Sequence, residues 1–288
     1  MYREYCSPMA NDERNALDEI VSLMEKWSGC PFSHFKKTTL LRRINRRLIL
    51  TRCHTLQEYL ELLKREPTEY QRLFDSLTIK VSKFFRDPKV FHTIKDAVLP
   101  ELFRQRGSVR VWCAACATGE EAYSLGILIL EFKRERPWAN GVEATVIGSD
   151  VDPVAIKMAQ RGIYSPESVA SALVEYPSYF NRLQSSEEEL YAVAPSLKEM
   201  VFFLQFDCTT QEFTSPPSGV FAEFDMVFLR NVLIYYDDQM KARMLHKVYQ
   251  ALRPKGFLVL GKAEGLSGPM REKFTLFSRE HKIYVKET

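Results

Sequence analysis

The 288-residue sequence predicts an α/β protein: a small all-helical domain, then a mostly parallel, doubly wound sheet that carries a small antiparallel insertion. Residues 12–83 repeat apolar side chains at helical spacing with few strand signals. Beyond residue 107, short apolar runs alternate with helical stretches. At about 176–201 a polar segment interrupts them around a hairpin-like pattern at Leu190 to Val193. The bounds that follow are 12–83 for the helical domain, 84–106 for a connection and 107–288 for the sheet domain.

In the helical part, Asp12 to Trp27 repeats Leu17, Ile20, Val21 and Met24, and Thr55 to Lys64 repeats Leu56, Tyr59, Leu60 and Leu63. Between them, Thr39 to Arg52 separates by angle. Leu40, Leu41, Ile44 and Leu48 share one face, and Arg42, Arg43, Arg46 and Arg47 the other. A solvated face is the ordinary reading of such arginines. With no interleaved carboxylate to pair them, docking to an acidic partner competes with it.

The sheet part opens with a buried strand from Val109 that runs through Ala114, Ala115, Ala117 and Gly119 into Glu120 and Glu121. Small residues there let a backbone approach a ligand at the strand's carboxyl end. The stretch lacks G-x-G-x-x-G, and its two carboxylates would repel phosphate. A cationic cofactor fits better. S-adenosylmethionine has a sulfonium and an ammonium but no phosphate, and Glu121 could receive the ammonium. The plain alternative is a strand-turn-helix whose acidic residues favour the helix dipole. Next, Ala144 to Asp150 reads as a strand ending in a carboxylate suited to a ribose diol, and Pro153 starts a helix through Ala155, Met158 and Ala159. Here the alternative is that Asp150 and Asp152 merely cap that helix. Further on, Phe224 to Leu229 forms an apolar run, a helix is predicted over Asp237 to Leu252, and Gly256 to Gly261 forms a last strand. Arg230, Asn231 and Tyr235 would project beyond the strands' carboxyl ends.

Composition narrows the function classes. A net charge of +3 is too small to demand nucleic acid, and 45% apolar residues supply sizeable cores. No secretory signal or long apolar span is present, so a cytoplasmic protein without membrane insertion is expected. The cysteines at 6, 30, 53, 113, 116 and 208 have no disulfide-framework spacing. Cys113-Ala114-Ala115-Cys116 fits C-x-x-C but has no companion pair, so both read as small packing residues; the histidines are scattered and no metal is implied.

Together these segments resemble the CheR family, S-adenosylmethionine-dependent methyltransferases that esterify glutamates on chemotaxis receptors. Phe84-Phe85-Arg86-Asp87-Pro88 resembles its F-F-R-D/E element, Thr118-Gly119-Glu120-Glu121-Ala122-Tyr123-Ser124 its T-G-E-E-x-Y-S loop, and Arg230-Asn231-Val232-Leu233-Ile234-Tyr235 its R-N-x-x-I-Y segment. They fall in the family's order, and Arg161-Gly162-Ile163-Tyr164 and Leu252-Arg253-Pro254-Lys255-Gly256 extend the likeness from about residue 15 to the carboxyl end. The wording from Cys116 to Ser124 is closer to CheR domains of multidomain sensory fusions than to the stand-alone enteric type.

The resemblance implies a Rossmann-like methyltransferase domain, S-adenosylhomocysteine as product, methyl-accepting receptors as partners, and a monomer. It places Arg86 at the methionine carboxylate and beside the methyl, Glu121 at the ammonium and Asp150 at the ribose. Lys80, Ser82, Asp207, Cys208, Arg230 and Asn231 would line the rest of the cofactor pocket, with Tyr235 at the reacting carboxylate. The helix bearing Arg42, Arg43, Arg46 and Arg47 would read the receptor's acidic methylation region, and the insertion could grip a receptor's carboxyl-terminal peptide. Lys80, Ser82, Asp207 and Lys262 depart from the enteric pattern of Asn, Thr, Asn and His. A dinucleotide oxidoreductase is disfavoured by the missing phosphate-binding glycines. A non-catalytic adaptor is disfavoured because Arg86, Glu121, Asp150 and Tyr235 are all present.

Overall fold

The computed structural model describes residues 11–78, 82–183, 189–210 and 223–287. They form two compact units. One comprises the residues up to 78 with Tyr235–Gln239, and the other residues 82–234 and 240–287.

The first unit contains α1 (Asn11–Ser28), α2 (Lys37–Thr51), α3 (Leu56–Arg65) and α4 (Pro67–Leu77). The starts of α3 and α4 are written locally. Thr55 accepts the Glu58 N–H at 3.1 Å while the Glu58 carboxylate accepts the His54 N–H at 2.7 Å, and Pro67 occupies the first turn of α4, where no N–H is needed. Ile20, Met24, Ile44, Tyr59, Leu63 and Leu73 are fully buried, each side chain contributing about 1.5 to 3 kcal/mol by leaving water. Inside this core lies Glu69, only 2% exposed. It accepts two hydrogen bonds from the Arg47 guanidinium, at 2.8 and 2.9 Å, and one from the Tyr59 hydroxyl at 2.8 Å.

The second unit begins with α5 (Pro88–Thr93), which passes through a π-helical turn (Ile94–Val98) into α6 (Leu99–Gln105). The 84–106 stretch, expected as a connection, is thus largely helical here, with Val98, Leu99, Leu102 and Phe103 buried in the core of this unit. There follow β1 (Ser108–Ala114), α7 (Glu120–Glu135), β2 (Glu143–Asp150), α8 (Pro153–Arg161), β3 (Ile163–Tyr164), α9 (Pro166–Glu175), β4 (Phe180–Leu183), β5 (Leu190–Val193) and α10 (Pro195–Lys198). The chain continues through β6 (Val201–Gln205), β7 (Phe224–Leu229), α11 (Asp238–Ala251), β8 (Leu252–Leu260), β9 (Phe274–Ser278) and β10 (Ile283–Lys286).

Seven strands form one sheet in the order β6-β2-β1-β7-β8-β10-β9, and β3-β5-β4 form a small antiparallel sheet. The first five strands of the large sheet are parallel, and β10 runs antiparallel to both its neighbours. The chain builds outward from β1 through β2 to β6, then returns to place β7 on the other side of β1. The order therefore reverses between β1 and β7, where an open α/β sheet leaves a crevice beyond its strand ends. β1 is tied to β2 by the fully buried Trp112, whose indole donates to Ser149 Oγ at 2.9 Å. Close packing explains Gly148, because a Cβ there would lie 2.6 Å from the Phe203 ring. The β9–β10 hairpin goes beyond what the sequence predicts. Its strands are short and terminal, and Thr275, Leu276 and Phe277 are exposed, so no two-residue alternation marks them.

Candidate active site

The loop from β1 to α7 is shaped by backbone conformations that few residues accept. Ala115 (φ 57), Ala117 (φ 49) and Gly119 (φ 95) are all left-handed. The two alanines keep the strained loop free of bulk, and Gly119 has no alternative, because a Cβ would meet Ala159 at 2.8 Å and Phe203 at 2.9 Å. The Cys116 N–H donates to the Ser149 carbonyl, and the Ala117 N–H to Asp150 Oδ2, both at 2.9 Å. Asp150 Oδ1 accepts the Asp152 N–H at 3.0 Å. The two aspartates thus divide their work. Asp152 caps α8 by accepting the Val154 and Ala155 N–H groups, whereas Asp150 shapes the loop at the end of β2. The backbone at Ala117, Val151 and Asp152 hydrogen-bonds the Asp150 carboxylate, and burial raises its pKa against those bonds.

Across the switch point, Arg230 follows β7 with its side chain 1% exposed. Its Nη1 donates to Glu121 Oε2 at 2.7 Å and its Nη2 to Asp87 Oδ2 at 2.6 Å, and both reach the Arg86 carbonyl at 3.3 Å. Three segments distant in sequence therefore meet on one guanidinium. Glu121, 15% exposed, has its pKa raised by burial, while Arg230 and then Arg86 pull the other way. The side chain of Arg86 is exposed, yet its charge is felt at Glu121.

The remaining cofactor candidates are distributed around the same strand ends. Ser82 hydrogen-bonds Glu120, a buried carboxylate that also accepts from Thr118 at 2.7 Å and Ser168 at 3.2 Å, and burial raises its pKa. Past β6, Asp207 Oδ1 accepts the Thr209 N–H at 2.7 Å and the Thr209 hydroxyl at 2.5 Å. Lys247, which sequence reasoning missed, lies beside Asp207 and Cys208; it donates to the Thr210 carbonyl and sits 5.5 Å over the Phe206 ring, and burial lowers its pKa. Lys80 lies outside the described residues. Lys262 is exposed and lines, with Asp87 and Arg230, a cavity of about 350 Å³.

Asn231 adopts a left-handed φ of 59°. Its loop is held by Glu264, a second residue that sequence reasoning missed. That buried carboxylate accepts N–H groups from Asn231 and Val232 at 2.9 Å, Ile234 at 3.4 Å and Gly261 at 2.7 Å. The only sequence signal is its place two residues after Lys262, in Gly261-Lys262-Ala263-Glu264.

Tyr235 packs with the helical unit. Its carbonyl accepts the Lys36 N–H at 2.9 Å, and the Arg43 guanidinium lies 5.2 Å over its ring. That contact revises the expected basic face of α2. Arg43 is 7% exposed and donates to the Ser76 and Leu77 carbonyls at the end of α4, and Arg47 is held by Glu69. Only Arg42 and Arg46 of the four are exposed, and they share their side of α2 with Ile49 and Leu50, 78% and 61% exposed. An angular reading assigns faces but not partners. The carbonyls and the carboxylate that take Arg43 and Arg47 come from α4.

Burial lifts the thiols of Cys113 and Cys116 far above their ordinary range and pushes Cys208 up to about 12. Among the described residues, no helix is long and apolar enough to cross a membrane.

Comparison with known families and proteins gives concordant findings. The profile described as "CheR methyltransferase, SAM binding domain" matches residues 80–283, and that described as "CheR methyltransferase, all-alpha domain" matches residues 15–78. The chemotaxis protein methyltransferase of Escherichia coli is 30% identical over 274 residues, spanning 92% of this chain and 90% of that protein. That of Klebsiella aerogenes is 31% identical over 257 residues, spanning 88% and 84%. An uncharacterized 104.1 kDa protein of Rhodobacter capsulatus is 32% identical over 273 residues; the match covers 93% of this chain but only 27% of that longer protein.

Proposed function

The chain belongs to the CheR methyltransferase family, whose cofactor is S-adenosylmethionine, and we propose that it methylates glutamate side chains of chemotaxis receptors. The observation that carries this reading is the convergence of Arg86, Glu121 and Arg230 at the switch point. The donor set fits the cofactor end by end. Glu121 offers a carboxylate to the ammonium, the exposed Arg86 fork suits the methionine carboxylate, and Asp150 keeps a lone pair for the ribose diol. Asp207, Cys208 and Ser82, with the main chain at Arg230 and Asn231, complete the pocket in this reading, and Lys80 joins them from outside the described residues.

The bound cofactor supplies a methyl group on an electrophilic sulfonium. A receptor glutamate, with an ordinary pKa of about 4.3, is already ionised at neutral pH, so the protein needs no general base. Its task is alignment. Holding carboxylate oxygen, methyl carbon and sulfur in line can contribute about 7 to 11 kcal/mol of the barrier reduction. Tyr235 has a hydroxyl suited to orienting the incoming carboxylate, and Arg42 and Arg46 offer exposed charge to an acidic receptor helix.

The test is methyl transfer from labelled S-adenosylmethionine to a receptor cytoplasmic fragment, followed by mild base. A methyl ester releases methanol and maps to glutamate by mass spectrometry. Label that survives base, or none transferred, would overturn the substrate assignment while leaving the cofactor untouched.

A further inference from the structure

Arg86 is the exposed centre of a segment whose main chain is held on both sides. Its neighbours Phe85 (φ 50) and Asp87 (φ 60) are both left-handed, a conformation that costs a non-glycine residue on the order of 1 to 3 kcal/mol and persists only where the surroundings impose it. Here the surroundings are explicit. Ser171 Oγ donates to the Phe84 carbonyl at 3.0 Å, the Phe85 N–H donates to Ser124 Oγ at 2.9 Å, and the Val90 N–H donates to the Asp87 carbonyl at 3.0 Å. Arg230 completes the set by taking the Arg86 carbonyl and the Asp87 carboxylate together.

The Arg230 guanidinium has little left for a ligand. Both terminal nitrogens are engaged by Glu121, Asp87 and Arg86, and its Nε is buried without a hydrogen bond among the described residues. The group lies 5.9 Å over the Phe91 ring. Asp87, by contrast, is 46% exposed, and Glu121 stays paired with the sealed Arg230 charge when Asp87 is removed.

We propose that Asp87 and Arg230 are positioning residues: they lock the backbone around Arg86 so that the Arg86 guanidinium is delivered to the carboxylate of the cofactor's methionine, and the Arg230 guanidinium is not itself a cofactor ligand. This rests on the assignment of Arg86 given above. Glu121 gains as well, since Arg230 orients it through one oxygen and leaves the other free to meet an ammonium.

A double-mutant cycle tests this. Affinity for S-adenosylhomocysteine is measured calorimetrically for Asp87→Ala, Arg86→Ala and the double variant, with thermal melts run alongside. Asp87 is half-exposed, so its variants are expected to fold. The Asp87 substitution should weaken binding by about tenfold alone and by almost nothing once Arg86 is gone, because its effect passes through Arg86. Asp87→Glu should restore much of the loss. Additive losses would overturn the proposal, as would an Arg86→Ala variant that binds normally. The readout needs no receptor, so a failed glutamate assignment leaves this result standing.

Discussion

Two buried arginine networks, one in each unit, use the same chemistry to opposite ends. In the helical unit, Glu69 is sealed and filled: Arg47 grips both oxygens and Tyr59 adds a third hydrogen bond. Burial, and then the carboxylate, hold the Tyr59 phenol protonated. At the switch point, Arg230 is buried just as deeply, but its partners Glu121 and Asp87 remain partly exposed with lone pairs to spare. A closed network fixes structure. An open one leaves charge where a ligand can find it.

The sharpest way to break this comparison is Glu69→Ala. Removing one partner of a buried pair strands the other, so stability should fall by about 3 to 5 kcal/mol in denaturant titrations. A loss under 1 kcal/mol would mean that the network is not closed.

Outside both networks, a residue that holds the cofactor should show its loss in binding. Asp150→Ala is expected to weaken S-adenosylhomocysteine by about 1.5 to 3 kcal/mol in calorimetry, with melting little changed apart from the loosened loop. Tyr235→Phe should instead lower turnover at saturating cofactor, since a group that orients the attacking carboxylate acts on the chemical step. Full turnover in that variant would reassign the tyrosine to packing.

Acid should separate the networks further. Glu121 has a raised pKa, and its ionised form is the one that receives an ammonium. As pH falls through that raised value the carboxylate is lost, so cofactor affinity should decline at higher pH than an ordinary glutamate, near 4.3, would dictate. Calorimetry from pH 8 downward checks this, and a decline that begins no earlier than an ordinary glutamate gives would remove Glu121 from the ammonium site.

The smallest effect is expected on the surface. Arg42→Glu with Arg46→Glu should raise the apparent Michaelis constant for receptor several-fold, from about 0.2 to 1 kcal/mol per site, and the effect should shrink with salt. Reversing Arg43 would not serve, because it is buried against α4 carbonyls. Unchanged kinetics at low salt would show that the exposed face of α2 is merely solvated.

The sheet was legible because its strands are short apolar runs bounded by small or acidic residues, as at Ala114 and Asp150. The neighbourhood of Glu121 and Arg230 was legible because both stand at strand ends that a doubly wound topology must gather. What escaped depends on partners from elsewhere in the chain. Nothing near Arg43 in sequence announces Ser76 and Leu77, nothing near Glu264 announces four backbone N–H groups, and nothing near Asp87 announces Arg230 from beyond β7.

An enzyme that carries an alkylating agent must avoid alkylating itself, and the buried thiols bear on that hazard. The thiolate rather than the thiol is the nucleophile, and a free cysteine at pKa about 8.5 would present a few per cent of it at neutral pH. Cys113, Cys116 and Cys208 stand at the strand ends that frame the crevice, yet burial keeps all three protonated. The same dry packing that lets small residues line the loop therefore keeps these three sulfurs in their unreactive form.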